Sequence, residues 1–156
     1  MESMEERRYM KESTFGRTLR LKCSEHGQWT RIENIAGAGI PDVNWYPGQD
    51  VWIELKATTT NRISFQASQI SWGRRRHKSG GKVWIVIRTK NEIIITESRS
   101  VYEKMRYSNC KPWLHVTVAQ DWGVTFKPPF KWDIIRDLLL GELTLGEEYC
   151  KYGALM

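Results

Sequence analysis

The chain has 156 residues, 40% of them apolar and 12% aromatic, which suits one domain with a real core and disfavours long disorder or a multi-domain reading. No run approaches the roughly 18–20 uninterrupted apolar residues of a membrane span, and Met1 to Met10 carries acids and arginines with no apolar stretch behind it, so a soluble, unsecreted, cytoplasmic protein is expected. The net charge of +6 is local: Ala57 to Asn91 holds eight cations and no acid, and the other 16 cations against 18 acids leave the rest of the chain at −2.

A basic stretch of this kind, with Arg62, Arg74, Arg75, Arg76, Lys78 and Lys82 in it, is an electrostatic footprint for a polyanion, most often nucleic acid. Cys23, Cys110 and Cys150 stand singly, so neither a disulfide framework nor a CxxC zinc clamp can be drawn, and a reducing compartment fits. His26, His77 and His115 share no metal-ligand spacing, which leaves them surface or structural roles.

In chain order, Met10 to Lys22 has helical spacing, with Phe15, Leu19 and Lys22 expected on one side. The Gly-rich segment Ala36 to Gly39 has no Lys-Ser/Thr after it and is not a phosphate loop; its glycines let the backbone enter the next strand. Pro41 to Trp45 and Val51 to Lys56 flank the turn Tyr46-Pro47-Gly48-Gln49-Asp50 and are expected to form a hairpin. A helix is expected from Ser64, as N-cap, to Lys78, stopped by Ser79-Gly80-Gly81 and followed by a strand at Val83 to Ile87. Strand, helix, strand implies a right-handed crossover between parallel neighbours. Another strand is expected at Glu92 to Thr96, a short helix at Ser100 to Met105, a strand at His115 to Val118 and an amphipathic helix at Lys131 to Leu140. The predicted class is α/β, a mixed central sheet flanked by helices, in a single domain.

The hairpin carries the chemistry. A turn centred on Gly48 pairs residues whose numbers sum to 96, so Asn44 faces Trp52 and Asp42 faces Glu54; opposed side chains share a face, about 4.5–5.5 Å apart at Cβ. Alternation puts Lys56 on the same face as Glu54 and turns Val43, Trp45, Val51, Ile53 and Leu55 to the core. Two carboxylates that close repel each other unless a divalent cation reverses the cost. Oxygen-only ligation suits Mg²⁺ or Mn²⁺, with positions left for water and substrate phosphate. No organic cofactor is implied.

Gly39-Ile40-Pro41-Asp42, followed twelve residues after the Asp by Glu54-Leu55-Lys56, resembles the PD-(D/E)xK nuclease signature. Arg31-Ile32-Glu33-Asn34 upstream, the Gln69-Ile70-Ser71-Trp72 helix and the strand opening Gly81-Lys82-Val83 resemble the order in VRR-NUC-type and phage Holliday-junction-resolvase-like members, from about residue 12 to 88. The resemblance implies a restriction-endonuclease-like core with motifs over about 12–96 and residues 97–156 as a C-terminal extension packed on it. It implies Asp42 and Glu54 as metal-binding acids, the Leu55 carbonyl as a further ligand and Lys56 as the catalytic lysine. Gln69 matches the family's helix glutamine, with Gln66 as rival; Glu12 matches its first-helix acid, with Glu33 as fallback.

The implied activity is metal-dependent DNA hydrolysis leaving a 5′-phosphate. Branched DNA such as a Holliday junction is the structure-selective target to consider, and a homodimer its partner arrangement by symmetry; the location would be host cytoplasm if the chain is phage-encoded. The alternatives are a non-catalytic nucleic-acid-binding module of the same fold and a sequence-specific restriction-type endonuclease. For the acids the plain alternative is a solvated strand face with a surface ion pair. For Arg74 to Arg76 it is a helix end whose dipole favours cations.

Overall fold

Alternation along Val51–Ala57 sets the middle of the molecule. Val51, Ile53 and Leu55 are buried on one side of this strand, while Glu54 and Lys56 point to the other. The computed structural model describes residues 11–23, 25, 27–32, 39–107 and 113–141. Within them the chain runs α1 (Glu12–Cys23), β1 (Gln28–Arg31), β2 (Val43–Tyr46), β3 (Val51–Ala57), β4 (Arg62–Ser64), α2 (Ala67–Lys78), β5 (Val83–Arg88) and β6 (Ile93–Glu97). It continues through α3 (Ser98–Tyr107), β7 (Trp113–His115), α4 (Val116–Trp122), β8 (Val124–Phe126) and α5 (Trp132–Leu139).

The main sheet has the order β1-β2-β3-β5-β6-β8, and β4 pairs with β7 in a separate two-stranded sheet. β3 and β5 are parallel across the α2 crossover, while the other main-sheet pairs are antiparallel, so the sheet is mixed, as expected. β5 and β6 are buried along nearly their whole length, as a strand covered on both faces must be. One face packs Phe15, Leu19 and Cys23 of α1 and Ile135, Leu138 and Leu139 of α5 against the sheet. The other packs Ile85, Ile87 and Ile94 against Val101, Tyr102 and Met105 of α3, with Ile63 and Phe65. Residues 98–107 and 113–141 thus supply an edge strand and helices on both faces.

Three local expectations are corrected. Cys23, not Lys22, completes the buried stripe of α1, because Phe15, Leu19 and Cys23 repeat at every fourth residue and Lys22 is exposed. Ser64 is not a helix N-cap: it lies in β4 opposite Trp113, and α2 begins after Gln66. The period-2 pattern of Arg62–Phe65 sends Ile63 and Phe65 into the core, which a helix starting at Ser64 would not do. His115 to Val118 is not one strand: β7 ends at His115, whose ring accepts the Thr117 N–H at 3.3 Å and opens α4, so that Val116 and Ala119 are buried one turn apart. Cys23 is a free, buried thiol pushed up to about 12 by burial; Cys110, Cys150, His26 and Glu33 lie outside the described residues.

Candidate active site

The β2–β3 hairpin closes in the register whose residue numbers sum to 96: Val43 with Ile53, Asn44 with Trp52, Trp45 with Val51. The ladder ends there, and Asp42, the next residue before it, lies near enough to Glu54 for its charge to act on that carboxyl. Asp42 is pinned from both sides there, its carbonyl accepting the Ile32 N–H at 2.8 Å and its Oδ2 accepting the Leu55 N–H at 2.8 Å. The carboxylate thereby replaces the backbone partner that Leu55 loses where the β2 ladder ends.

Glu54 is 2% exposed, and its Oε1 holds two donors: Lys56 Nζ at 3.2 Å and Gln69 Nε2 at 2.6 Å. Burial first, and then the charge of Asp42, pushes Glu54 up to about 8, against the pull of Lys56. Lys56 Nζ also reaches Gln69 Oε1 at 3.4 Å and lies 4.9 Å from the centre of the Phe65 ring, a cation–π distance.

Gln69 occupies the first turn of α2, where its Oε1 accepts the Gln66 N–H at 2.9 Å. That backbone donor fixes the amide: the oxygen must face Gln66, so the NH₂ group must face Glu54. Of the two glutamines considered, Gln69 meets the acid, while Gln66 is exposed.

The loop that delivers Asp42 is held against the same helix end by Gly39. Its φ is +87°, and a Cβ there would run into the Ser68 carbonyl, so both conformation and space call for glycine. Glu12, at the start of α1, reaches the far end of β3 and accepts the Ala57 N–H at 3.4 Å; its charge adds weakly to the upward shift of Glu54.

The six basic residues separate onto different surfaces. Arg62 lies 4.3 Å from the Trp113 ring. Arg74, Arg75 and Lys78 line a cleft of about 370 Å³ between α2 and α3, together with Arg99. Arg76, about 200° around the helix from Arg74, turns to the hairpin, 3.9 Å from Asp50 and over the Trp52 ring. Lys82 sits 5.1 Å from the Trp84 ring. His77 bridges the Gly81 carbonyl (3.3 Å) and the Ser98 hydroxyl (2.8 Å).

Sequence reasoning missed two features. Tyr102, 2% exposed and edge-on to Phe65, lies within electrostatic reach of the acids: burial, then Glu54 and Asp42, raises its phenol above the ordinary value. The periodicity of α3 could have marked it as core, but not as a neighbour of this site. Arg17, Arg20 and Arg31 gather beside Trp29, Val43 and Leu55 around a second cleft, of about 230 Å³, from a part of the chain with no net positive charge.

Among the described residues no three His, Cys, Asp or Glu side chains gather as a metal cluster. The donors present, two carboxylates at one strand edge with one of them buried, nevertheless suit a hard divalent ion, because such a charge relieves the cost that raises Glu54.

Against solved structures, the chain matches a Holliday junction resolvase from the archaeal hyperthermophile Archaeoglobus fulgidus, with a TM-score of 0.56 over 81% of this chain and 98% of that one, at 12% identity. The fold is that of a Holliday junction resolvase. No protein-family model matches the sequence, and no curated protein matches it. In this resolvase fold the hairpin strands β2 and β3 lie second and third in the main sheet and α2 packs beside them, so Asp42, Glu54, Lys56 and Gln69 converge there.

Proposed function

We propose that this chain is a metal-dependent DNA endonuclease of the PD-(D/E)xK type, with branched DNA such as a Holliday junction as its substrate class. The observation that carries the reading is the hairpin geometry, in which the Asp42 carboxylate binds the Leu55 N–H next to Glu54 while Glu54 binds both Lys56 and Gln69. The resolvase identity of the matched structure supports the substrate class; affiliation with VRR-NUC-type or phage nucleases rests on the sequence signature alone.

Asp42, Glu54 and the Leu55 carbonyl, which shares a strand edge with the N–H bound by Asp42, would hold Mg²⁺ or Mn²⁺, with Glu12 at the rim. The bound ion would supply positive charge to the phosphate and make water more acidic. Lys56, held by Glu54 and Gln69, orients the attacking water and offsets negative charge growing on the phosphate oxygens. Gln69 keeps the Glu54 carboxylate in place. Water attacks phosphorus in line, the bond to the 3′-oxygen breaks, and the products are a 5′-phosphate and a 3′-hydroxyl. Arg62, Arg74, Arg75, Lys78 and Lys82 contact flanking phosphates, while Arg76, turned to Asp50 and Trp52, braces the hairpin. Cutting two strands of a four-way junction needs two such sites, so a homodimer is expected on that substrate.

Linear, flapped, single-stranded and four-way DNA incubated with Mg²⁺ or Mn²⁺ tests the reading. Wild type should cut the branched forms. Asp42→Asn should abolish cutting with DNA binding retained, and Lys56→Ala should slow cutting at least about 100-fold. Metal-dependent cutting confined to a short sequence in linear duplex would favour the restriction-type alternative. No cutting by wild type on any substrate would leave the non-catalytic module.

A further inference from the structure

The two arginine-rich clefts lie on opposite faces of the main sheet. The first opens between α2 and α3 on the face that α3 covers. Ser71, Arg74, Arg75 and Lys78 stand at i, i+3, i+4 and i+7, a single stripe of α2, and Arg99 faces it from α3 with Glu103 as the one acid of the lining. The second opens beside α1 on the face that α1 and α5 cover, where Arg17 and Arg20 meet Arg31 of β1.

Among the described residues, none of these seven cations forms an ion pair: the pairs present involve Lys56, Arg76 and Arg136. Like charges gathered in excess of their counter-charges, four cations against Glu103 in the first cleft and three against none in the second, repel one another, and an incoming polyanion relieves that repulsion. The second cleft also touches the catalytic hairpin directly through Val43 and Leu55. The first lies down α2 from Gln69, about 9 Å along the axis at Arg75.

We infer that the two clefts hold the backbones of two diverging DNA arms, one on each face of the sheet, with the branch point between them at the hairpin. This rests on the nucleic-acid reading of the site but not on its catalysis. One straight duplex has no course that touches both clefts, because the sheet and a helix layer stand between them. A branched molecule does, since its arms leave the branch in different directions. Shape selectivity then follows from where the cations sit, with no base contact required.

Binding in EDTA, where cutting is absent whatever the role of Asp42, tests this with a four-way junction and a linear duplex of equal length across a salt series. The variants are Lys78→Glu with Arg99→Glu, and Arg17→Glu with Arg20→Glu; Lys104→Glu, on α3 but outside both clefts, is the control for charge, and thermal unfolding checks the fold. Wild type should prefer the junction. Each double variant should erase most of that preference, lower junction affinity at least about tenfold, and reduce the salt slope by about 2, as loss of two phosphate contacts requires. The control should keep the preference.

Equal loss for junction and duplex, an unchanged preference in either double variant, or no preference in wild type would each overturn the two-arm arrangement. Failure of metal-dependent cutting with this binding pattern intact would instead remove only the nuclease reading.

Discussion

Glu54 bears the conflict of the site in one side chain. It is buried beside Asp42, and the two donors on its Oε1 do not bring it back to the usual carboxylate range: it stays near 8. A carboxyl whose folded value lies above its unfolded one binds an extra proton when folded, so its contribution to stability is complete below about 4.5 and is lost as pH rises through about 8. The metal-free protein should therefore lose Tm between pH 5 and pH 8, and Glu54→Gln should flatten that slope and raise Tm at pH 8. Thermal unfolding of both proteins across this range in EDTA decides the matter; a steeper slope in Glu54→Gln would mean the burial argument is wrong. Saturating Mg²⁺ should reverse the trend in wild type, because the ion favours the ionised pair.

At the scale of elements, the site depends on one hairpin register and one helix end. A shift of a single residue in the hairpin would turn Glu54 and Lys56 into the α1 face and bring Leu55 out; the apolar set Val51, Ile53 and Leu55 guards against it. The helix end is set by Gly39, whose backbone lies against Ser68. Gly39→Ala should destabilise by roughly 1–3 kcal/mol and disturb Asp42. Gly48→Ala, at another positive φ but with nothing within 4 Å of the added carbon, should cost less. Urea unfolding of the two variants compares the price of a close backbone approach plus strain with that of strain alone.

Across the whole molecule, charge and burial sort arginines that adjoin in sequence. Arg76 is tied to Asp50 and Trp52, whereas Arg75 is exposed on the α2–α3 cleft. Arg76→Ala should lower Tm more than it lowers DNA affinity. Arg75→Ala should leave Tm nearly unchanged and reduce the salt slope of DNA binding by about 1. Equal effects of the two substitutions on the slope would show that the packing of Arg76 does not separate their roles.

The hairpin register, Asn44 with Trp52, the face shared by Glu54 and Lys56, and the parallel β3–α2–β5 crossover were legible in the sequence. All three follow from short-range rules: the turn sets the register, strand period sets the face, and chain connectivity sets the crossover. The β4–β7 pair and the start of α2 were not legible, because a three-residue strand has too little periodicity to announce itself and its partner lies about fifty residues away.

Which glutamine would meet the acids, that Tyr102 would lie within reach of them, and that Arg17, Arg20 and Arg31 would gather into a cleft were decided only when helices packed on the sheet. Sequence by itself determined what each strand offers to either face. Tertiary structure decided which side chains from distant segments arrive there, since that depends on how α1, α2 and α3 bury their apolar stripes, an outcome of the whole core and not of any one segment.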